Sequence, residues 1–327
     1  MSKNKFFNIL LDNMPILLFV FIFLTFGLLS NRFLQIDSLL NIVKQASYIG
    51  IVAVGMTFVL LTAGIDLSVG SNMYVSAIVA GLAIDNYGIS PWLALFVCLF
   101  IGFLFGSINA FFITKVKIVP FIVTLATMVA GRGLGLLLTK SRAVNFPDAV
   151  IHIGSIQLFG FLPLPILIFA IVVLFAYLFL NNMPLGRQMY AVGHDIQAAQ
   201  KAGIHTSKVL ATSYMICGLL AALGGFISVA QLGIVNSGFG KGDEFDAIAA
   251  AVLGGTSLFG GVGSVFPGTV LGAILIQMVW SGLVFTQVNL YLQPLVFAGI
   301  LFLAVFLDSV RSRLLTKRKK RHIRVEK

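Results

Sequence analysis

The residue most able to do chemistry inside the apolar part of this chain is Asp66, in the segment GIDLSVGS (Gly64–Ser71). An acidic side chain at the centre of a bilayer costs about 2.5 to 3.5 kcal/mol on insertion scales, so Asp66 needs a polar partner or a place near the membrane edge. Asp66, Ser68 and Ser71 can cap the helix that follows, because their oxygens accept backbone N–H groups. We favour capping; the alternative is that this turn lines the inner mouth of a transport pathway.

Four further residues are candidates for lining a pathway or gate. Arg132, in GRGLG, is costly if it lies deep in lipid, so we expect it near the outer end of its helix, where it snorkels or binds backbone carbonyls. Asn109 can contact a substrate, but a hydrogen bond between helices explains it equally well. Phe239 and Phe245 lie near a second polar break and can stack on the apolar face of a sugar ring.

The longest polar segment between two apolar runs that still has helical character is GRQMYAVGHDIQAAQKAG (Gly186–Gly203). A helix beginning near Asp195 would carry an acid at its positive end and Lys201 at its negative end, and Gly203 would end it. Three alanines at i+3, i+4 and i+7 from Asp195 form a stripe of small residues: Ala198, Ala199 and Ala202. An alanine stripe is a poor lipid anchor, so this helix is predicted to fit a groove on a partner in water.

Motifs for covalent or hydrolytic chemistry are missing from the sequence. It contains no G-x-x-x-x-G-K-[ST] loop for nucleotide hydrolysis, no H-E-x-x-H and no G-x-S-x-G. Acids within the apolar runs are too few for an obvious proton or sodium relay. These absences disfavour both an enzyme and a self-powered transporter. No cofactor is predicted for the chain.

The composition is that of a membrane protein built as one integrated bundle over residues 1–327. Hydrophobic residues make up 59% of the chain and charged residues only 10%, against about 25% charged in soluble domains. The net charge of +11 is concentrated in a basic tail at 309–327, which is typical of a cytoplasmic anchor rather than of nucleic-acid binding. Cys98 and Cys217 fall inside apolar runs and are predicted to be small buried residues.

Apolar runs long enough to cross lipid recur along the sequence, so an all-α polytopic protein with about ten membrane-spanning helices is predicted. The predicted spans are 14–30, 45–63, 69–84, 91–113, 119–138, 163–180, 208–230, 245–259, 265–286 and 291–308. Lys and Arg residues concentrate in the loops of one side, and the positive-inside rule places that side and both termini in the cytoplasm.

Two breaks rich in glycine and polar residues interrupt this pattern. The first is Gly64–Ser71 and the second is QLGIVNSGFGKGDEFDAIAA (Gln231–Ala250). Each joins a span to a short helix of small residues, and the predicted topology puts the two breaks on opposite faces of the membrane. Spans 2–5 and 7–10 are therefore candidates for an inverted repeat, an arrangement that transporters use around their pathway.

Five phrases in order resemble the permeases of bacterial ABC importers for ribose, xylose, arabinose and galactose. They are GMTFVLLTAGIDLSVGS, MYAVGHDIQAAQKAGI, ICGLLAALGGFISVAQLG, DAIAAAVLGGTSLFGGVGS and FLAVFLDSVRSR. Together they cover essentially the whole chain, from about Ser47 to Arg311. The family usually has Gly-Gly-Asn or a similar triplet where this chain has Gly193, His194 and Asp195.

The resemblance implies a subunit of the bacterial inner membrane that pairs with a second copy or a similar permease. It further implies an ATPase partner, often with two fused cassettes, that binds the ATP, and an outer sugar-binding protein. The ATPase-coupling helix would lie within about 187–204 and include Gly193, Asp195, Ala198, Ala199, Ala202 and Gly203. Transport of a monosaccharide would follow alternating access.

Two alternatives stay open from the sequence. A facilitator or ion-coupled transporter would need no ATPase, and it should carry paired acids or histidines within its spans. Related importers also carry autoinducer-2 or nucleosides, so a sugar is the leading substrate class among several.

Overall fold

The computed structural model describes residues 14–303 and Phe306. The predicted basic tail at 309–327, the N-terminal residues and most of the phrase FLAVFLDSVRSR lie outside this range. The described residues are mostly helical, as the predicted all-α class requires.

The helices of the first half follow the apolar runs of the sequence. They are α1 (Met14–Leu29), α2 (Ile36–Leu61), α3 (Val69–Tyr87), α4 (Pro91–Thr114) and α5 (Pro120–Thr139). Proline opens α4 and α5, where its missing N–H costs nothing. The Ser90 hydroxyl oxygen accepts the Leu93 N–H at 3.3 Å and caps α4.

The second half contains shorter elements between its long helices. They are α6 (Asp148–Ser155), α7 (Leu164–Asn182), α8 (Pro184–His194), α9 (Ile196–Lys201), α10 (Thr206–Leu232), α11 (Asp243–Leu253), a π-helical turn (Val265–Thr269), α12 (Val270–Phe285) and α13 (Gln293–Leu303). Four strands of two residues form two small antiparallel sheets: β1 (Val144–Asn145) pairs with β4 (Ile234–Val235), and β2 (Gln157–Leu158) with β3 (Leu162–Pro163).

Six helical segments of the described chain are long and apolar enough to cross a membrane, so the predicted count of about ten is not confirmed. They are Ile36–Leu61, Pro91–Thr114, Pro120–Thr139, Leu164–Asn182, Thr206–Leu232 and Val265–Phe285. The predicted eighth span is only the 11-residue helix α11, too short for a hydrocarbon core of about 30 Å. The inverted repeat is likewise not shown and remains a prediction.

The chain divides into two compact units. The larger unit, Val43–Ala273, contains α3 to α11, with α10 packed along α4 and α3. Asn72 of α3 donates a hydrogen bond to the Gly218 carbonyl of α10 at 2.9 Å. Nearly all of the first half of α3 is buried, so this helix is surrounded by protein rather than by lipid.

The smaller unit comprises the described parts of Met1–Ile42 and Ile274–Lys327. Aromatic rings hold it together: Phe33 is fully buried and lies 5.8 Å from the ring centroid of Phe26 and 6.3 Å from that of Phe285. The Trp280 and Phe297 rings stack with centroids 4.4 Å apart.

Candidate functional site

The first break is held by a closed chain of hydrogen bonds. Asp66 is 1% exposed, and its Oδ1 accepts the Ser68 backbone N–H at 2.9 Å and the Ser68 hydroxyl at 2.6 Å. Asn109 of α4 donates its Nδ2 to Ser68 Oγ at 2.8 Å. Thr127 of α5 donates in turn to Asn109 Oδ1 at 2.8 Å. Asp66 therefore has the polar partners that a buried carboxylate requires.

The predicted capping is only partly correct. Asp66 does accept an N–H at the start of α3, but the side chain of Ser68, the residue preceding α3, accepts no helical N–H. Ser68 uses its hydroxyl to bridge Asp66 and Asn109 instead. The Ser71 hydroxyl donates to the Ser68 carbonyl at 2.8 Å rather than capping the helix. Asn109 thus makes a hydrogen bond between helices, which is one of the two roles that the sequence left open.

The second break is anchored by Arg132. The guanidinium of this α5 residue donates from Nη1 to the carbonyl oxygen of Phe239 at 2.5 Å. The same guanidinium lies 5.3 Å from the ring centroid of Tyr74 on α3, within reach of a cation–π contact. The prediction that Arg132 binds a backbone carbonyl is confirmed, and the carbonyl belongs to a predicted gate residue.

The two breaks contact each other, although the sequence analysis placed them on opposite faces. The first turn of α3 and the loop before α11 approach backbone to backbone at Gly70 and Gly240. A Cβ on Gly70 would overlap the Gly240 carbonyl oxygen and Glu244 Oε2, and a Cβ on Gly240 would lie 2.6 Å from the Gly70 carbonyl oxygen. Only glycine permits this approach. The N-termini of α3 and α11 therefore meet at one junction.

Most of the predicted pathway residues converge on this junction. Asp66, Ser68 and Asn109 support the start of α3, and Arg132 and Phe239 lie on the side of the second break. Phe239 is 7% exposed, so its ring is packed rather than open to a ligand. Phe245 is 61% exposed and makes none of these contacts.

One residue of the junction was missed from the sequence. Glu244, in the first turn of α11, is 6% exposed, and its Oε2 has no hydrogen-bond partner among the described residues. The available signal was the acidic run GDEFD, where a Glu stands between two Asp residues at a helix N-terminus. Nothing in that run distinguishes a buried acid from its exposed or half-buried neighbours.

The polar connector forms two helices rather than one. α8 ends at His194, and Asp195 then caps α9 by accepting the N–H groups of Gln197 at 2.9 Å and Ala198 at 3.0 Å. Gly203, with a φ of +82°, follows the end of α9 as predicted.

The alanine stripe does not form a single exposed face, which corrects the sequence-based picture. Ala198 and Ala202 are exposed, but Ala199 is 4% exposed and packs in the core cluster with Met189 and Val192 of α8. The reason is that α9 has only six residues and packs against α8, so Ala199 is buried between the two helices.

Gly193 ties the connector to the helices at both breaks. A Cβ on Gly193 would overlap the Leu61 carbonyl oxygen at the end of α2 and lie 2.6 Å from Gly261 N. Gly261, in the loop after α11, donates its N–H to that same Leu61 carbonyl at 3.0 Å. The Tyr190 hydroxyl donates to the Gly263 carbonyl at 3.2 Å, and burial raises the Tyr190 pKa, which favours the donor form.

Among the described residues, no group of three or more His, Cys, Asp or Glu side chains is placed so that it could hold a metal ion. Cys98 and Cys217 are free and buried, as predicted.

Residues 38–305 match the model of the family described as branched-chain amino acid transport system / permease component. The chain belongs to this permease family. Among curated relatives, the ribose import permease protein RbsC of Escherichia coli K12 is 38% identical over 291 residues, covering 86% of this chain and 88% of the relative. RbsC of Bacillus subtilis is 38% identical over 295 residues, covering 88% of this chain and 89% of the relative.

A relative with another substrate also aligns along most of its length. The autoinducer 2 import system permease protein LsrC of Photorhabdus laumondii is 32% identical over 306 residues, which is 92% of this chain and 91% of that permease. No solved structure matches the chain.

Proposed function

We propose that this protein is the membrane permease subunit of an ATP-driven importer for a monosaccharide. The observation that carries the proposal is the similarity to ribose import permeases over nearly the full length of both chains. The family assignment and the apolar helices make it a multi-pass protein of the inner membrane. It is a transport subunit rather than an enzyme, and a separate subunit hydrolyses ATP.

The junction of the two breaks supports a translocation path through the larger unit. Helix N-termini carry partial positive charge and free N–H groups, and transporters place such broken helices around the solute. Here two N-termini meet: the hydrogen-bonded Asp66, Ser68 and Asn109 support one of them, and Arg132 holds the loop before the other. In this proposal Phe239 belongs to the gate, and Phe245 lies at the rim rather than at the junction.

The segment 187–204 is the ATPase-coupling element of the proposed importer. Its exposed face includes Asp195, Ala198, Ala202 and Gly203, whereas Gly193 and Ala199 join it to the bundle. Because Gly193 contacts both the end of α2 and the loop after α11, a displacement of the connector reaches the helices on either side of the junction. This linkage gives ATP binding by the partner a mechanical route to alternating access.

The remaining parts of the assembly are proposals from the family. They are about ten membrane segments with both termini in the cytoplasm, a repeat of spans 2–5 and 7–10, a second permease copy or paralogue, an ATPase with two fused cassettes, an outer sugar-binding protein and surrounding lipid. Autoinducer-2 is an alternative solute because a relative named for its import aligns over most of this chain. A nucleoside stays an alternative from the sequence resemblance alone.

The test is ATP hydrolysis in proteoliposomes that contain the permease, its cognate ATPase and ribose-loaded binding protein. Ala198→Trp in α9 and Ala202→Trp directly after it place bulk at exposed positions of the connector and are expected to abolish stimulation by the binding protein. Ala199→Trp is unsuitable because Ala199 is buried. Ala126→Trp, at an exposed alanine within α5, is the matched control and should leave stimulation unchanged.

Two results would contradict the proposal. If ribose enters the vesicles at the same rate without ATP, the protein is a facilitator or an ion-coupled transporter. If both α9 variants assemble with the ATPase and are stimulated like wild type, the coupling element lies elsewhere in the chain.

A further inference from the structure

Glu244 presents a buried carboxylate oxygen that the fold leaves without a partner. The side chain is 6% exposed, and among the described residues Oε2 receives no hydrogen bond. Leaving a charged acceptor unpaired in a protein interior is costly, and native structures pair almost all such groups. An unsatisfied acceptor of this kind at a helix junction is a candidate contact for a polar ligand.

The guanidinium of Arg132 lies close to the same point. Glu244 Oε2 abuts the position that a Cβ on Gly70 would occupy, and Arg132 Nη2 lies 3.3 Å from that position. No hydrogen bond joins this guanidinium to Glu244 Oε2. Arg132 instead uses Nη1 to hold the Phe239 carbonyl. An acceptor and a donor thus border one small region beside a glycine.

We propose that Glu244 and Arg132 form a hydroxyl-binding subsite for the transported solute, an inference that rests on the proposed import of a polyhydroxylated molecule. A carboxylate accepts from one hydroxyl group while a guanidinium donates to its neighbour, which matches adjacent hydroxyls on a sugar ring. Because Gly70 has no side chain, no Cβ enters the region between the Glu244 carboxylate and the Arg132 guanidinium.

The subsite is closed in this structure by the contact between Gly70 and Gly240. Opening it requires the loop before α11 to move away from the first turn of α3. That loop contains glycines with positive φ at Gly240 (+66°) and Gly242 (+97°), conformations that glycine adopts without steric cost. Solute reaches the subsite in the state in which this contact is separated.

The experiment compares wild type with Glu244→Gln and Arg132→Lys in the complete complex. Three quantities are measured: uptake of D-ribose into proteoliposomes at saturating binding protein, ATP hydrolysis stimulated by that protein, and equilibrium binding of D-ribose to the permease–ATPase complex trapped with nucleotide. Asp148→Asn is the matched control, since it changes an exposed acid in the first turn of α6. Both test variants should weaken ribose binding and slow uptake by about tenfold, as expected for a lost charge-assisted hydrogen bond.

The outcomes separate this proposal from the proposed function. If wild type carries ribose and both variants bind and carry it as wild type does, the subsite proposal is wrong. If the variants lose uptake and stimulated ATP hydrolysis while ribose binding is unchanged, the pair controls conformation rather than binding, and the proposal also fails. Should wild type fail to carry ribose with ATP, the proposed function fails and the subsite fails with it. If Glu244→Gln does not assemble with the ATPase, ribose binding by Arg132→Lys alone decides whether the subsite proposal stands.

Discussion

The two helix breaks of the larger unit look alike in sequence but differ in how their polar groups are satisfied. At the first, Asp66 accepts two hydrogen bonds from Ser68, and Asn109 extends the network to a neighbouring helix. At the second, Glu244 keeps an unpaired carboxylate oxygen. A satisfied buried network makes a site rigid, whereas an unsatisfied one stores a cost that a ligand or a movement can relieve. We therefore expect the first break to stay fixed during transport and the second to change.

The largest expected effect comes from a substitution that pushes the two breaks apart sterically. Gly70→Ala places a methyl group against the Gly240 carbonyl and Glu244 Oε2, so we expect a loss of stability of about 3 kcal/mol, at the upper end for overpacked sites. Thermal unfolding of the detergent-solubilised protein measures it. Gly133→Ala is the control, because a Cβ there meets no atom within 4 Å. Equal unfolding temperatures for the two variants would refute the close contact.

Removing a member of the fixed network should cost less. Asn109→Ala deletes the hydrogen bonds to Ser68 and from Thr127, so the buried Asp66–Ser68 pair loses its link to α4 and α5, for an expected loss of about 2 kcal/mol. Ser107→Ala on the same helix is the control, since that hydroxyl bonds only to the carbonyl of Phe103 in its own helix. The unfolding temperature should fall for the first variant alone, and parallel falls would show that Asn109 has no special role.

The second break should respond in the opposite direction. Glu244→Gln removes a buried charge without an ion-pair partner, so stability is expected to hold or to rise by about 1 kcal/mol. Asp66→Asn is the matched comparison, because it removes a carboxylate that accepts two hydrogen bonds and should destabilise. If Glu244→Gln destabilises as much as Asp66→Asn, the contrast between the breaks is lost.

The smallest effect is expected at Phe245. Its ring is 61% exposed, so Phe245→Ala should change stability by less than about 0.5 kcal/mol. Ribose uptake is expected to stay within twofold of wild type, measured as the initial rate in proteoliposomes. A tenfold loss of uptake would instead indicate that Phe245 stacks on the sugar, as the sequence alone allowed.

Local signals in the sequence predicted much of the site. The cost of a charge in lipid correctly indicated that Arg132 would find a backbone carbonyl, and helix-end preferences correctly assigned Asp195 and Gly203. These inferences succeed because each depends on a few neighbouring residues and on one well-understood energy.

Properties that depend on tertiary packing were not predictable in the same way. The contact between Gly70 and Gly240 joins residues far apart in sequence, and counting spans as full crossings placed their breaks on opposite faces. Ala199 is buried because α9 folds back on α8, which an alanine pattern does not reveal. Glu244 is buried whereas Asp243 and Asp246 are half-buried, a difference that the acidic run does not reveal.

The central claim is that the first break stays fixed while the second changes during transport. Hydrogen–deuterium exchange of the complete importer, with and without trapped nucleotide and ribose-loaded binding protein, tests it directly, because amide exchange reports local opening. We expect the protection of amides 236–242 to change between these conditions and that of amides 65–70 to stay the same. Equal changes in both segments, or a change at 65–70 alone, would contradict the account.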